Sequence, residues 1–311
     1  MMEGWHGRVD DPGDLETFRW HQVVRPFDNL AMPGIALVGF ASDEGVRRNH
    51  GRAGAVEGPS ALRKALSNLP AINSCSVYDT GDITCLDGDL DGAQSRYADR
   101  VSHLLAKGHF PLGMGGGHEI GFASYLGLAR SDRPGRIAIV NLDAHLDLRD
   151  EPAGTSGTSF RQAIQHARAH EISLDYICLG VSASSNTQRL FRNAQEAEIH
   201  LLMDHEMTQS SLDSNIDQVL RWLEPADSIY LTICLDVLPG YVAPGVSAPS
   251  PRGVPLEVIE PLISAISATD RLKVCDIAEL CPRLDIDNAT ARVAARLVYQ
   301  LATAKSARPL A

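Results

Sequence analysis

Three stretches of this sequence carry side chains that can bind cations or move protons, and each follows an apolar run. The run Arg136-Ile-Ala-Ile-Val-Asn-Leu leads into Asp143-Ala-His145-Leu-Asp147-Leu-Arg149, with two carboxylates and an imidazole at i, i+2 and i+4. In extended backbone alternate side chains share a face, so these three are expected to point one way. The run near Phe110 ends in Gly113-Met-Gly-Gly-Gly-His118-Glu119. Its glycines permit backbone conformations closed to other residues, and a helix starting there would present His118 at its N-terminal end. Tyr230-Leu-Thr-Ile-Cys234-Leu-Asp236 sets a thiol and a carboxylate at i and i+2. A lone D-x-H-x-D is more often a capped turn than a metal site. Three strand ends converging is a different matter: His118, Asp143, His145, Asp147, Cys234 and Asp236 together could hold two divalent metals through shared carboxylates, as in hydrolases that activate a bridging water.

Other chemistries fit less well. A glycine-rich loop after a strand could cradle phosphate, but no acidic ribose partner lies nearby and the P-loop Lys-Ser/Thr pair is missing. No G-x-S-x-G nucleophile elbow occurs. The remaining histidines show no spacing that suggests a second metal site.

These residues need elements to position them. Short β-type runs are expected at Ile35–Phe40, Ser76–Thr80, His109–Gly113, Arg136–Leu142, Tyr176–Val181, Ile199–Met203, Ser228–Leu235 and Leu272–Ile277. Helical periodicity appears between them, for example over Tyr97–Lys107 and Ala291–Ala302. This alternation argues for an α/β protein with a mainly parallel eight-stranded sheet between helices, in which ligands sit outside the carboxyl ends of the strands. The Pro-, Gly- and Ser-rich segment Leu238–Pro255 directly follows a strand, where a functional loop would sit. No internal repeat or linker divides the chain, so residues 1–34 are read as a polar N-terminal segment and 35–311 as one catalytic domain.

The chain has 311 residues, 39 acidic against 28 basic, for a net charge of −11. Such a balance offers no field to draw the protein onto nucleic acid or an anionic membrane, and a small-molecule substrate is the expected partner. Without a long apolar stretch or a signal-like leader, a cytoplasmic location is expected. The six cysteines form no C-x-x-C pair and read mostly as small buried hydrophobes.

The combination of GGGHE, DAHLD, the Cys234-Leu-Asp236 strand end and the following Ala-Pro-Gly segment resembles the ureohydrolase family of arginases, agmatinases and formimidoylglutamases. The stretches Gly39–Asn49, Gly154–Gln162, Ala243–Pro249 and Asp276-Ile-Ala-Glu279-Leu look most like the formimidoylglutamase branch, which acts in histidine degradation. The resemblance implies a three-layer arginase-like fold, hydrolysis of N-formimidoyl-L-glutamate to L-glutamate and formamide, and a homo-oligomer. It also implies two Mn2+ per subunit held by His118, Asp143, His145, Asp147 and Asp236, with Asp143 shared, and Glu279 beside the cationic carbon–nitrogen group. Asp147 is expected to pass the proton to the departing amine. There are two departures from the family pattern. Cys234 stands where a bridging aspartate is usual, so reduced manganese occupancy is expected there. Ser156 stands where arginases and agmatinases place a histidine, which argues against guanidinium hydrolysis. The substrate's two carboxylates require donors, and the cluster Arg47, Arg48, Asn49 and Arg52, with Arg149, could supply them. The competing readings are an agmatinase-like or guanidinobutyrase-like hydrolase, and a protein with a degraded metal site acting as a binding or subunit partner.

Overall fold

The computed structural model describes residues 4–72 and 75–306. Its strands are β1 (Arg25–Pro26), β2 (Ile35–Ala41), β3 (Val77–Thr84), β4 (Phe110–Met114), β5 (Ile137–Leu142), β6 (Leu174–Val181), β7 (His200–Met203), β8 (Ser228–Cys234) and β9 (Leu272–Ala278). Its helices are α1 (Trp20–Val23), α2 (Glu44–Arg48), α3 (Gly58–Leu66), α4 (Leu90–Ala106), α5 (Ile120–Ala129), α6 (Ser159–Ala169), α7 (Gln188–Glu196), α8 (Leu212–Leu223), α9 (Leu256–Ser267) and α10 (Ala289–Ser306). All eight expected strands are present, with ends shifted by a few residues. The ninth, β1, was not expected: it is two residues long and contains a proline, which a sheet tolerates only at its edge. It pairs with β3 alone, at one end of the order β1-β3-β2-β4-β9-β8-β5-β6-β7.

Every pairing is parallel. Parallel strands need crossovers, which cover both faces of the sheet. Along β2, Ile35 and Leu37 enter a core shared with α3, α8, α9 and α10, while Ala36, Val38 and Phe40 enter another shared with α4, α5, α6 and α7. This period of two makes the three layers. The four strands that end in chemistry, β4, β9, β8 and β5, are consecutive in the sheet although some 160 residues separate the first from the last in the chain.

The polar N-terminal segment packs against this sheet. Trp5 and Trp20 are buried and stacked with ring centroids 6.3 Å apart. The Trp5 indole donates to Asp79 Oδ2 at 2.7 Å, and Arg63 grips the same carboxylate at 2.7 and 3.0 Å while reaching Asp82 at 2.7 Å. Burial works to raise the Asp79 carboxyl, but the Arg63 contact wins and holds it below its usual range. Asp79→Ala would leave the buried guanidinium short of its main partner and free the Trp5 indole. It is therefore expected to cost about 3–5 kcal/mol in equilibrium denaturation. A loss no larger than about 1 kcal/mol, typical of an exposed pair, would contradict a structural role for this anchor.

Candidate active site

Each strand end delivers its side chain by a different local device. After β4 the chain turns through Gly115, Gly116 and Gly117, whose amides donate to Ile277, Phe40 and Ser42 carbonyls at 2.7, 2.8 and 2.9 Å. None of these glycines has positive φ. What requires glycine is close approach: a Cβ on Gly116 would lie 1.8 Å from the Ser42 carbonyl oxygen. The loop thus threads between β2 and β9 and sets His118 two residues ahead of α5.

β5 stops at Leu142, so Asp143, His145 and Asp147 lie on a bending loop and not on extended backbone. They still converge, because Asp147 adopts a left-handed conformation at φ 47°. Asn186, just after β6, pins this loop: its Oδ1 accepts the Leu146 amide at 3.0 Å and its Nδ2 donates to Ala144 and Ser182 carbonyls at 2.9 Å. β8 ends at Cys234, and a single 3-10 turn, Leu235–Val237, carries Asp236 inward. After β9, Glu279 is left-handed at φ 71°. A left-handed residue other than glycine costs about 1–2 kcal/mol, and such strain gathers at functional sites.

The two oxygens of Asp143 diverge. Oδ2 lies 2.9 Å from His118 Nδ1, and Oδ1 lies 3.4 Å from His145 Nδ1. His118 Nδ1 is also 3.0 Å from Asp147 Oδ2, and His145 Nδ1 is 3.1 Å from Asp236 Oδ2. Two groups of ligand atoms result, His118 with Asp143 and Cys234, and Asp143 with His145 and Asp236, each within 4.8 Å and sharing Asp143. Among the described residues no other such group occurs.

Packing these groups together out of water has electrostatic consequences. Burial, then the Asp143 charge, pushes the Asp147 and Asp236 carboxyls up. Burial opposes ionisation of Asp143 too, yet its contacts with His118 and His145 hold it well below the usual range. Burial likewise disfavours charge on both imidazoles, and the surrounding carboxylates reverse this and raise them well above their ordinary value. The Cys234 thiol is pushed up by burial and by Asp143, Asp236 and Glu279. Glu279 is pushed up to about 8, by burial first and then by Asp236 and Glu119.

These residues line a cavity of about 430 Å³. A larger one, about 870 Å³, opens at the other end of the sheet near Phe110, Ser228 and Leu272, and contains none of the clustered ligands. Of the residues named as carboxylate donors, Asn49, Arg52 and Arg149 line the active-site cavity. Arg47 and Arg48 do not line it. Arg47 pairs with Asp43 and Glu44 at 3.5 and 3.1 Å. Arg48 is held by Glu44 at 3.0 Å and by the Gly154 and Gly88 carbonyls at 3.1 and 2.7 Å. Arg52 is occupied by the Ser247 and Val246 carbonyls at 2.7 and 2.8 Å. The Arg149 side chain has no ion pair or hydrogen bond among the described residues. Asn49 donates to Ser156 Oγ at 3.2 Å. Ser185, Asn186 and Leu190 also line the cavity and were not anticipated. Their one sequence signal was position, since they follow the carboxyl end of a strand.

The arginase family model matches residues 33–303. The chain is 49% identical over 305 residues to a formimidoylglutamase of Ralstonia nicotianae, covering 96% of this chain and 94% of that protein. It is 50% identical over 304 residues to a formimidoylglutamase of Aeromonas salmonicida, covering 96% and 97%. Among solved structures it is similar to Trypanosoma cruzi formiminoglutamase with Mn2+, with TM-score 0.79, 26% identity and coverage of 89% and 95%. It shares its fold with a formimidoylglutamase of Bacillus subtilis subsp. subtilis str. 168, with TM-score 0.85, 24% identity and coverage of 97% and 95%. Among the described residues no helix is long and apolar enough to cross a membrane.

Proposed function

This chain belongs to the arginase family, and from that we propose that its cavity hydrolyses N-formimidoyl-L-glutamate to L-glutamate and formamide at a binuclear manganese centre. The observation that carries the reading is the pair of ligand groups sharing Asp143. The residues present fit metal ions: His118 Nδ1 and Asp236 Oδ1 are buried without a hydrogen-bond partner, and the Nδ1 approaches two carboxylates without aligning a proton on either. His118, Asp143, Asp147 and Cys234 would hold one ion, and Asp143, His145 and Asp236 the other. When bound, two divalent cations lower the pKa of a water at the site from about 15.7 to about 7.

The chain's own groups do the rest. Glu279 Oε1 accepts the His118 amide at 2.8 Å, while Oε2 is buried and unpartnered, free to face the substrate's amidinium. Arg149 and Asn49 receive the glutamate carboxylates, guanidinium being suited to bidentate capture. The water oxygen adds to the formimidoyl carbon as Asp147 takes up a proton from that water, and the bond from that carbon to the glutamate nitrogen then breaks. Asp147 delivers a proton to that nitrogen, so the amine leaves neutral. Ser156, which touches Asn49, occupies the place where guanidine hydrolases of this family have a histidine. A panel of formimidoylglutamate, arginine, agmatine and guanidinobutyrate tests the assignment. Formamide from the first and no urea from the others is expected, and urea release would overturn it.

Cys234 is the unusual ligand. Manganese is a hard cation that prefers oxygen, whereas thiolate suits softer metals. Cys234→Asp is therefore expected to raise manganese content towards two ions per chain and to raise activity at limiting metal. Should both fall, the thiol is a working ligand and the centre holds a softer metal.

A further inference from the structure

Asp276 lies on β9 three residues before Glu279, fully buried, and belongs to neither ligand group. Three hydroxyls converge on it. Ser124 Oγ of α5 and Tyr230 OH of β8 donate to Oδ2 at 2.5 and 2.6 Å, and Thr232 Oγ1 donates to Oδ1 at 2.6 Å. These separations are those of hydroxyls donating to an ionised carboxylate. Thr232 and Asp276 are register partners on adjacent parallel strands, so their side chains share a face. On its other side Thr232 Oγ1 lies 3.0 Å from His118 Nε2.

We infer that Asp276 is a positioning residue for the metal centre, acting through Thr232 to fix which nitrogen of His118 faces the ligand cluster. A threonine hydroxyl has one proton. With that proton directed to Asp276, its oxygen can only accept from His118, so the imidazole hydrogen sits on Nε2. The lone pair is then on Nδ1, the nitrogen beside Asp143 and Asp147. Metal-binding histidines commonly have their second nitrogen fixed by an acceptor, which sets tautomer and ring orientation. Here the acceptor is a neutral hydroxyl, and the negative charge that directs it lies one hydrogen bond further away. β9 and the residue that follows it grip His118 twice, through this relay at the ring and through Glu279 at the main-chain amide. The inference rests on the metal-centre reading above.

The alternative is that Asp276 merely ties α5 to the sheet through Ser124. Thr232→Val separates the two roles, because it keeps the β-branched shape and leaves Ser124 and Tyr230 on Asp276 while removing the link to His118. Metal-depleted protein would be titrated with Mn2+ and the free ion followed by electron paramagnetic resonance, with thermal unfolding as a check on folding. Thr232→Val should weaken manganese binding about 10- to 100-fold. Thr232→Ser, which restores the hydroxyl, should return it to near the wild-type value. Asp276→Asn should weaken it as well, since its amide can donate to Thr232 and turn that hydroxyl's proton towards His118. Wild-type affinity in Thr232→Val, or failure of Thr232→Ser to restore binding, would overturn the relay. Wild-type protein that binds no manganese would instead overturn the metal-centre reading, and the relay with it.

Discussion

Glu279→Gln is expected to leave manganese content unchanged and to lower kcat by about 10²–10³-fold, the loss found when one preorganised electrostatic partner is removed from a water-poor site. The two oxygens of Glu279 have separate duties, which is why metal and activity should part. Oε1 accepts the His118 amide at 2.8 Å, and glutamine retains an oxygen able to do so. The loop carrying His118 therefore stays in place. Oε2 is the unpartnered atom. An amide nitrogen there presents hydrogens to an amidinium that has only hydrogens to offer, so an attraction becomes a repulsion. Parallel loss of metal and activity would mean that Glu279 is itself a ligand.

Asp147→Asn is expected to have the larger effect, because one side chain is assigned two tasks. It stands 3.0 Å from His118 Nδ1, within the first ligand group's reach, and it is the group assigned to protonate the departing amine. The amide cannot carry that proton, and general acid catalysis alone is worth about 10²–10⁴-fold. The left-handed backbone at φ 47° is tolerated by asparagine as readily as by aspartate, so the loop should keep its course. Recovery of more than about a tenth of the activity, a rise of only about 1.4 kcal/mol in barrier, would show that another group moves the proton.

Legibility in the sequence followed physical lines. β5 and β8 are buried on both faces, which favours mostly apolar residues, and their ends stood out because carboxylates and an imidazole follow those runs within a few residues. That made Asp143, His145, Asp147, Cys234 and Asp236 visible together. β1 was invisible because two residues with a proline carry no periodicity. Arg47 and Arg48 were named because the segment after the first long strand was read as a loop offering guanidinium donors, but that segment is helical over Glu44–Arg48. Helical spacing sets Arg47 against Asp43 and Glu44 at i−4 and i−3 and Arg48 against Glu44 at i−4, whereas Asn49 at the end of α2 turns to the cavity. Asn186 was missed because its work is on main-chain groups of a loop 40 residues away, which no local pattern records. Asp147 was expected to reach the cluster along extended backbone, and it does so by a left-handed turn, since alternation alone ends with β5 at Leu142.

The central claim is that catalysis depends on metal held by the two groups that share Asp143. Protein stripped with a chelator and reconstituted with Mn2+ tests it most directly, with formamide release from formimidoylglutamate followed against bound ions per chain. The account predicts no turnover without metal and activity that climbs with bound manganese, with two ions per chain approached only at a large excess of Mn2+ because of Cys234. Full formamide release from metal-free protein, or manganese-loaded protein that releases none, would contradict it.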